Sequence, residues 1–352
     1  MTLTTAAVLG TGAWGTTFAQ VLADAGVDVT MWGRNADTIS FINGGENPTY
    51  LPGIALSDRI SATAEITEAV AGHELVVVAV PVKAVRATLS AAREAFAPGV
   101  ALLSLAKGLE LGSLKRVDEI IAEASGVPAS RIAVLSGPNL SREIAERQPT
   151  ATVVAASDVE LAKEIAKACH NPYFRPYVST DVVGTEMAGA TKNVIAVAIG
   201  AAEGMGLGIN TRSTLITRGL AEMTRLGTAL GADPATFAGL SGIGDLVATC
   251  SSRLSRNFSL GHRLGSGMGL AEALALSPGV VEGVASAAPI LQVAASVGVD
   301  VPITGAVVEV VEGARASRTW AVCCWHARKR WTAGKSSSSE RCTRGRQMPP
   351  AL

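Results

Sequence analysis

The sequence predicts an α/β protein, in which an N-terminal doubly wound sheet is followed by an all-α C-terminal domain. Three observations support this prediction. The chain opens with a strand, a glycine-rich turn and a helix, further apolar strands alternate with helices to about residue 157, and long alanine-rich amphipathic patterns begin near residue 181. Because 352 residues exceed one ordinary core, we divide the chain into residues 1–180, 181–313 and a basic tail, 314–352.

The first element is an apolar strand at about residues 6–9, which runs into the turn "GTGAWG" and a helical pattern that continues to residue 25. "VDVTMWGR" follows as a second strand. Gly10 suits a tight turn, Gly12 allows a pyrophosphate to approach the backbone, and Gly15 allows close packing of the helix. Free N–H groups and the helix dipole favour anions at the start of such a helix. This order of elements therefore predicts a Rossmann-like dinucleotide site.

The next strands are short apolar runs that end in polar or glycine-rich loops. They read "ELVVVAVP" (74–81), "VALLSLAKG" (100–108), "RIAVLSGPN" (131–139) and "TATVVAAS" (150–157), and a helix is expected over 83–96. Ligands bind outside the carboxyl ends of the strands in open α/β sheets. We therefore expect Pro81, Lys107 and residues 137–139 to line one crevice with the glycine-rich turn.

The second domain is predicted to be helical, with helices over 182–204, 211–231, 283–297 and 303–312. The stretch over residues 186–206, "EMAGATKNVIAVAIGAAEGMG", covers most of the first helix and is apolar except for a few polar residues that include Lys192 and Asn193. Lysine is almost never fully buried without a partner. Lys192 either reaches the surface along its stem, or lies in a closed site where an anion pairs with it or its pKa is tuned for proton transfer.

Bulk properties exclude several classes of protein. Residues 1–313 carry 21 Lys or Arg and 29 Asp or Glu, a net charge of −8, whereas the tail carries nine basic residues and one acidic residue. The acidic body is no general surface for nucleic acid. Apolar runs are too short or too interrupted for membrane insertion, the N-terminus is no signal peptide, and five cysteines lack paired spacing. We expect a cytoplasmic protein.

Ten motifs then occur in an order that resembles the bacterial-type NAD(P)-dependent glycerol-3-phosphate dehydrogenase family. They are "GTGAWG", "YLPGIAL", "VVVAVPVKAVR", "SLAKGLE", "LSGPNLSREIA", "GATKNVIAVAIG", "TRGLAEMTRLG", "GLSGIGDLVATC", "SRNFSLG" and "VVEGV". The resemblance covers roughly residues 4–313. It implies an oxidoreductase that interconverts sn-glycerol 3-phosphate and dihydroxyacetone phosphate for phospholipid synthesis, with a small-molecule substrate and a homodimer as a possible assembly.

The resemblance also implies residue roles. Lys192 becomes the catalytic lysine, and the substrate contacts become Lys107, Gly137, Asn139, Lys192, Asp245, Ser255, Arg256 and Asn257. The dinucleotide would be bordered by Ala13, Trp14, Arg34, Lys107, Ser141, Arg256, Val280 and Glu282, in addition to the three glycines of the turn. This chain has Asn139 where family members often have Ser, so the resemblance does not fix the role of this side chain. Ser141 stands where many members have Ala, a mild departure next to the cofactor.

The chemistry agrees with these roles. Reduction of a ketone leaves an oxyanion, to which a lysine can supply a proton. Asp245 can orient or charge-balance Lys192, Lys107 can help depress the pKa of Lys192, and Arg256 offers a planar fork for a phosphate. Hydride chemistry with a nicotinamide requires no metal. The small residues Gly189, Ala190 and Ala196 are expected to let substrate and cofactor approach the helix of Lys192.

The end of the second strand indicates the cofactor. NAD-specific sites usually place Asp or Glu there to bind the ribose diol. The sequence instead reads "MWGRN", with Arg34 and no carboxylate. We therefore expect NADPH to be preferred, with NADH as an alternative.

The tail from residue 314 departs from the pattern of the family, which would close with another amphipathic helix. It holds three of the five Trp and three of the five Cys, and "CCWH" has no common zinc spacing. Shifting the frame of a plausible coding sequence restores a helix-like segment, so we hypothesise a frameshift near residue 314 and a disordered tail.

Two other functions stay open on the sequence alone. One is a related two-domain dehydrogenase that acts on a 3-hydroxy or 2-hydroxy acid, against which Gly244, Asp245 and residues 255–257 argue. The other is a catalytically inactive dinucleotide-binding regulator, which need not keep Lys192 and Asp245.

Overall fold

The computed structural model describes residues 3–277 and 279–313. The strands are β1 (Thr5–Leu9), β2 (Asp28–Trp32), β3 (Ile60–Thr63), β4 (Leu75–Val78), β5 (Ala101–Ser104), β6 (Ile132–Ser136), β7 (Thr150–Ala156) and β8 (Phe174–Ser179). The helices are α1 (Ala13–Asp24), α2 (Ala36–Asn43), α3 (Ile66–Val70), α4 (Val82–Ala92), α5 (Val117–Ser125), α6 (Ser141–Ala145), α7 (Val159–Cys169), α8 (Val182–Gly204), α9 (Ile209–Ala229), α10 (Pro234–Ala238), α11 (Asp245–Ser251), α12 (Arg256–Gly265), α13 (Leu270–Ala275), α14 (Glu282–Ser296) and α15 (Pro302–Val311).

The strands form one sheet in the order β3-β2-β1-β4-β5-β6-β7-β8. The first six strands in this order, from β3 to β6, are all parallel. β7 is antiparallel to β6, and β8 is parallel to β7. The central strands β4, β5 and β6 are buried throughout, and a separate apolar cluster covers each face of the sheet. The carboxyl ends of β1, β4, β5 and β6 therefore meet at one edge.

The second half of the described chain is helical and is built around α8. Nearly all of α8 is buried, and α12 packs against it so closely that side chains are excluded at the crossing. A Cβ atom at Gly200 would lie 2.1 Å from the backbone oxygen of Phe258, and one at Gly261 would lie 2.0 Å from that of Val197. Among the described helices, α8 alone is long and apolar enough to cross a membrane, and 83% of its most apolar window is buried inside the protein, as in a core helix.

The predicted fold class is confirmed: a mostly parallel sheet with helices on both faces precedes an α-helical part. The two edge strands β3 and β8 were not predicted. The proposed division at residue 180 falls in the short link between β8 and α8, and it stays a prediction. The tail and its hypothesised frameshift lie outside the described residues.

Candidate active site

Two lysines meet on one buried carboxylate. Lys192 lies on α8, Asp245 begins α11 after a π-helical turn, and Lys107 lies in the loop that follows β5. The Nζ atom of Lys192 lies 2.5 Å from Oδ1 of Asp245, and the Nζ atom of Lys107 lies 2.7 Å from Oδ2. The exposed fractions of the side chains are 8% for Lys192, 14% for Lys107 and 2% for Asp245. Lys192 therefore does not reach solvent, and Asp245 is its partner.

The charges of this cluster shift its pKa values. Burial alone would raise the pKa of Asp245, but the two ammonium groups outweigh burial and lower it. Burial and the neighbouring Lys192 lower the pKa of Lys107 to about 8, although Asp245 opposes the shift. With both lysines protonated, the cluster has one net positive charge among buried side chains. Such a site favours an anion or a developing oxyanion.

Glycine at residue 189 allows this cluster to form. A Cβ atom there would lie 3.0 Å from Oγ of Ser136 and 3.3 Å from Cγ of Lys107, so the lysine stem and the end of β6 pack directly on α8. Ala190 and Ala196 are 1% and 0% exposed and belong to the helical core. The expectation that these two alanines let ligands approach was therefore wrong, because they face the packed interior.

The end of β6 completes one wall of the site. The backbone oxygen of Gly137 accepts a hydrogen bond from Nζ of Lys107 at 3.3 Å. Gly137 has φ +152, and a Cβ atom there would lie 3.0 Å from Cα of Thr152. Asn139 donates from Nδ2 to Oγ1 of Thr152 at 3.1 Å, while its buried Oδ1 has no hydrogen-bond partner among the described residues. The fold therefore uses one end of this amide and leaves its acceptor available.

The segment 255–257 begins α12, and Ser255 and Asn257 fix this end of the helix. Oγ of Ser255 caps the helix by accepting from the backbone N–H of Phe258 at 3.2 Å. Asn257 donates to Oδ1 of Asn193 at 2.8 Å and accepts from the backbone N–H of Gly283 at 2.9 Å, which ties α12 to α8 and α14. Arg256 lies between Ser255 and Asn257, exposed in the first turn of α12.

The glycine-rich turn has the geometry that a pyrophosphate needs. Gly10 has φ +128, and a Cβ atom there would lie 2.8 Å from the backbone oxygen of Ala79, beyond the end of β4. A Cβ atom at Gly15 would lie 2.2 Å from the backbone oxygen of Gly10. At Gly12, the N-cap of α1, a Cβ atom would meet nothing within 4 Å among the described residues. The helix N-terminus therefore faces open space, which fits a dinucleotide phosphate.

The other predicted cofactor residues lie in loops or at the starts of helices. Ala13 and Trp14 begin α1, Arg34 is exposed just after β2, Ser141 begins α6, Val280 is half-buried, and Glu282 begins α14. The Trp14 ring packs edge-on against Phe18 with centroids 5.8 Å apart, and its buried Nε1 has no hydrogen-bond partner among the described residues. Burial raises the pKa of Glu282, while the charge of Arg256 opposes this shift. Arg256 and Glu282 are thus neighbours.

Three further residues of the site were not predicted. Thr249 accepts from Nζ of Lys192 at 2.7 Å and lies 3.3 Å from Oδ1 of Asp245. Its spacing of four from Asp245 on one helix was a usable signal. Asn193 holds Asn257, as described above. Asn47 is fully buried and donates to the backbone oxygen of Thr11 at 3.0 Å, which fixes the glycine-rich turn. No local pattern marks Asn47, because the fold alone brings it there.

Comparisons with known proteins agree with this geometry. The profile described as NAD-dependent glycerol-3-phosphate dehydrogenase N-terminus matches residues 5–162, and the C-terminus profile of the same family matches residues 181–321. A curated relative from Streptomyces griseus, named glycerol-3-phosphate dehydrogenase, NAD(P)+, is 55% identical over 87% of this chain and 91% of its own length. A relative of the same name from Thermobifida fusca is 54% identical over 87% of this chain and 92% of its own length.

A solved structure shares both parts of the fold. The crystal structure of glycerol-3-phosphate dehydrogenase from Coxiella burnetii superposes with a TM-score of 0.88 at 30% identity, and the match covers 93% of this chain and 99% of that one. The two profiles together span most of the chain, and the relatives are matched over nearly their full length. The chain therefore belongs to the NAD-dependent glycerol-3-phosphate dehydrogenase family.

Proposed function

We propose that Lys192 moves the proton in the reaction of this family, the interconversion of sn-glycerol 3-phosphate and dihydroxyacetone phosphate with NAD(P)(H), which supplies glycerol 3-phosphate for phospholipid synthesis. The observation that supports this role is the buried contact of 2.5 Å between Nζ of Lys192 and Oδ1 of Asp245. A buried lysine with a fixed carboxylate partner is a typical acid–base group.

The protein residues have separate tasks in this scheme. When bound, the nicotinamide supplies or accepts the hydride at the carbinol carbon. In ketone reduction, Lys192 gives its proton to the oxygen of that carbon, and in alcohol oxidation it takes the proton back. Asp245 holds the ammonium group, and Thr249 fixes its direction by accepting a second hydrogen bond. The excess positive charge that Lys107 adds stabilises the oxyanion in the transition state.

The remaining site residues are assigned to the ends of the two ligands. Arg256, exposed at the start of α12, would hold the substrate phosphate as a bidentate partner, with the amide of Asn257 and the hydroxyl of Ser255 beside it. Gly137 and the free acceptor of Asn139 would line the carbinol end. The glycine-rich turn and the N-terminus of α1 would hold the pyrophosphate, with Ser141, Val280 and Glu282 along its edge.

A comparison of two substrates tests the assignment of Arg256. We expect the wild type to reduce dihydroxyacetone phosphate with a kcat/KM at least about a hundredfold above that for dihydroxyacetone, since each hydrogen bond to a charged group contributes about 1.5–3 kcal/mol. Arg256→Met should lose most of this preference while still binding NADPH. Equal preference in the wild type and in Arg256→Met would contradict the assignment. Better turnover of a 2-hydroxy or 3-hydroxy acid by the wild type would favour the related dehydrogenase instead.

We also propose that NADPH is preferred over NADH. Arg34 is exposed immediately beyond the end of β2, where it can pair with the 2′-phosphate of the adenosine ribose. Steady-state kinetics with both cofactors test this, and Arg34→Ala should narrow the difference by raising the KM for NADPH alone. A KM that favours NADH by tenfold in the wild type would contradict the proposal.

The homodimer that the family resemblance allows, the cytoplasmic location and the absence of membrane insertion stay predictions. The burial of α8 inside the protein supports the last of them. Light scattering of the purified chain at several concentrations tests the assembly, with twice the mass of 35.9 kDa expected for the homodimer.

A further inference from the structure

The loop between β5 and α5 joins the sheet to the helical part at three points. Lys107 reaches Asp245, as described above. Leu109 is 4% exposed and belongs to the hydrophobic core of the helical part, and it also forms an isolated antiparallel bridge with Arg116. Arg116, at the end of the loop, meets Glu186 on α8. The loop that carries one lysine of the site is therefore anchored on the helix that carries the other.

Glu186 is the anchor on the helical side. Its Oε1 accepts from the backbone N–H of Asp118 at 3.0 Å, in the first turn of α5, and its Oε2 lies 3.3 Å from Nε of Arg116. The second contact is an ion pair without good hydrogen-bond alignment. The side chains of Glu186 and Arg116 are 6% and 24% exposed. Glu186 precedes Lys192 by six residues, or about 9 Å along α8, so it does not touch the reacting atoms.

This contact is a poor source of stability, which suggests another reason for its presence. Burial and the neighbouring Asp118 raise the pKa of Glu186 well above its usual range, and Arg116 only opposes that shift. Apolar replacements of buried ion pairs are often neutral or stabilising. The pair does, however, fix the direction and distance of α5 and its preceding loop relative to α8. Lys107 and Ser136 meet α8 closely at Gly189, so a small displacement of the loop would move Nζ of Lys107.

We propose that Glu186, through Arg116 and the start of α5, is a positioning residue that sets where Lys107 meets Asp245. The inference rests on the proposed role of Lys107 in the site. Loss of the Glu186 carboxylate lets the 105–116 loop shift, so that Lys107 no longer shares Asp245 with Lys192. Misplacement of a catalytic group by about 1 Å can cost about a hundredfold in rate.

A double-mutant cycle with Lys107 tests this proposal on the full chain. We would measure kcat/KM for dihydroxyacetone phosphate, at saturating NADPH and well below each melting temperature, for Glu186→Ala, Glu186→Gln, Lys107→Met and Glu186→Ala with Lys107→Met. We expect Glu186→Ala to lose about ten- to a hundredfold, and Glu186→Gln to lose less, because its Oε1 can still accept from Asp118. In the Lys107→Met background, Glu186→Ala should lose less than about twofold further, since coupled residues are not additive.

Glu222 provides a matched control. It is another buried carboxylate of the helical part, 1% exposed, and it accepts from the backbone N–H groups of Ile303 and Thr304 and from Oγ1 of Thr304 at 2.7–2.9 Å. Glu222→Ala should lower the melting temperature but leave kcat/KM within about twofold. Glu222 contacts none of the site residues named above, so its loss should act through the stability of the fold. Where Glu186→Ala does not fold, Arg116→Met replaces it, and the same dependence on Lys107 is expected.

Three results would overturn the inference. If Glu186→Ala loses the same factor with and without Lys107, or if Glu222→Ala loses as much kcat/KM as Glu186→Ala, then Glu186 only supports the fold. If Lys107→Met itself keeps the wild-type kcat/KM, the proposed role of Lys107 fails together with the inference. If Lys107→Met loses kcat/KM and Glu186→Ala loses the same factor in either background, the inference fails but the proposed role of Lys107 stands.

Discussion

Asp245 determines what both lysines of the site can do. Each of its oxygens binds one ammonium group, Oδ1 that of Lys192 and Oδ2 that of Lys107, so neither lysine is buried unpaired. Removing the carboxylate would leave two buried positive charges facing one another, which would strongly lower the free energy of unfolding. The same carboxylate therefore permits two cations where the substrate needs them.

Lys107 gives the enzyme a testable pH dependence. Its pKa is lowered from an ordinary value of 10.5 to about 8, mainly by burial, so the side chain is charged below about pH 8 and loses its proton above it. Because the charged form stabilises the oxyanion, we expect kcat/KM for dihydroxyacetone phosphate to fall as the pH rises through about 8. Lys107→Arg stays protonated and should lack this decline. An unchanged decline in Lys107→Arg would assign it to another group.

Some of the site could be predicted from residues alone, and some could not. An ammonium group in an apolar helix marked Lys192 as unusual, but the sequence left open whether it reached solvent. The spacing of four on one helix could have placed Thr249 beside Asp245, but only the packing of α11 on α8 brings Thr249 to Lys192. Ser255 and Asn257 are predicted to face the substrate, and the sequence did not show that Ser255 caps α12 or that Asn257 ties α12 to α8.

At the scale of single elements, two glycines of the turn before α1 serve different purposes, one for packing and one for ligand binding. Gly15 is needed by the fold, because a Cβ atom there would collide with the backbone oxygen of Gly10 at 2.2 Å. Gly12 has φ −71 and ψ 174, an extended conformation open to any residue, and its Cβ would point into open space among the described residues. The motif therefore combines a glycine that the fold requires, Gly15, with one that we expect only the ligand to require, Gly12.

Two alanine substitutions test this separation. We expect Gly15→Ala to lower the free energy of unfolding by about 2 kcal/mol or more, from overpacking. Gly12→Ala should leave the melting temperature unchanged but raise the Kd for NADPH about tenfold or more, since a hydrogen bond to a charged group contributes about 1.5–3 kcal/mol. Thermal melts and cofactor titrations of both variants check the contrast. Equal destabilisation of the two variants would contradict it.

The edge strands β3 and β8 could not be predicted from local sequence patterns. The central strands are apolar on both faces, as parallel strands between two layers of helices must be, and they were predicted. β3 has only four residues, with burial that alternates along it, and β8 contains Pro176 and exposed Tyr177 and Val178. An edge strand tolerates proline and needs no apolar run. Their pairing depends on β2 and β7, which a local pattern cannot show.

At the scale of the whole molecule, the cofactor should stabilise the fold by binding only to the native state. NADPH at about 100 times its Kd should add about 2.7 kcal/mol to the free energy of unfolding. We expect the same rise in melting temperature for the wild type and Lys192→Ala, because Lys192 lies outside the predicted dinucleotide contacts. Gly12→Val should show little rise at that concentration. Equal rises for the wild type and Gly12→Val would place the dinucleotide elsewhere.

The whole account depends on one reaction and one lysine. The most direct measurement is the absorbance of the nicotinamide while the purified chain, NADPH and dihydroxyacetone phosphate are mixed, with Lys192→Ala measured beside the wild type. We predict rapid oxidation of NADPH by the wild type and a loss of kcat of about 10²–10⁴-fold in Lys192→Ala, as for removal of a general acid. Oxidation at equal rates by both proteins, with both folded, would contradict the central claim.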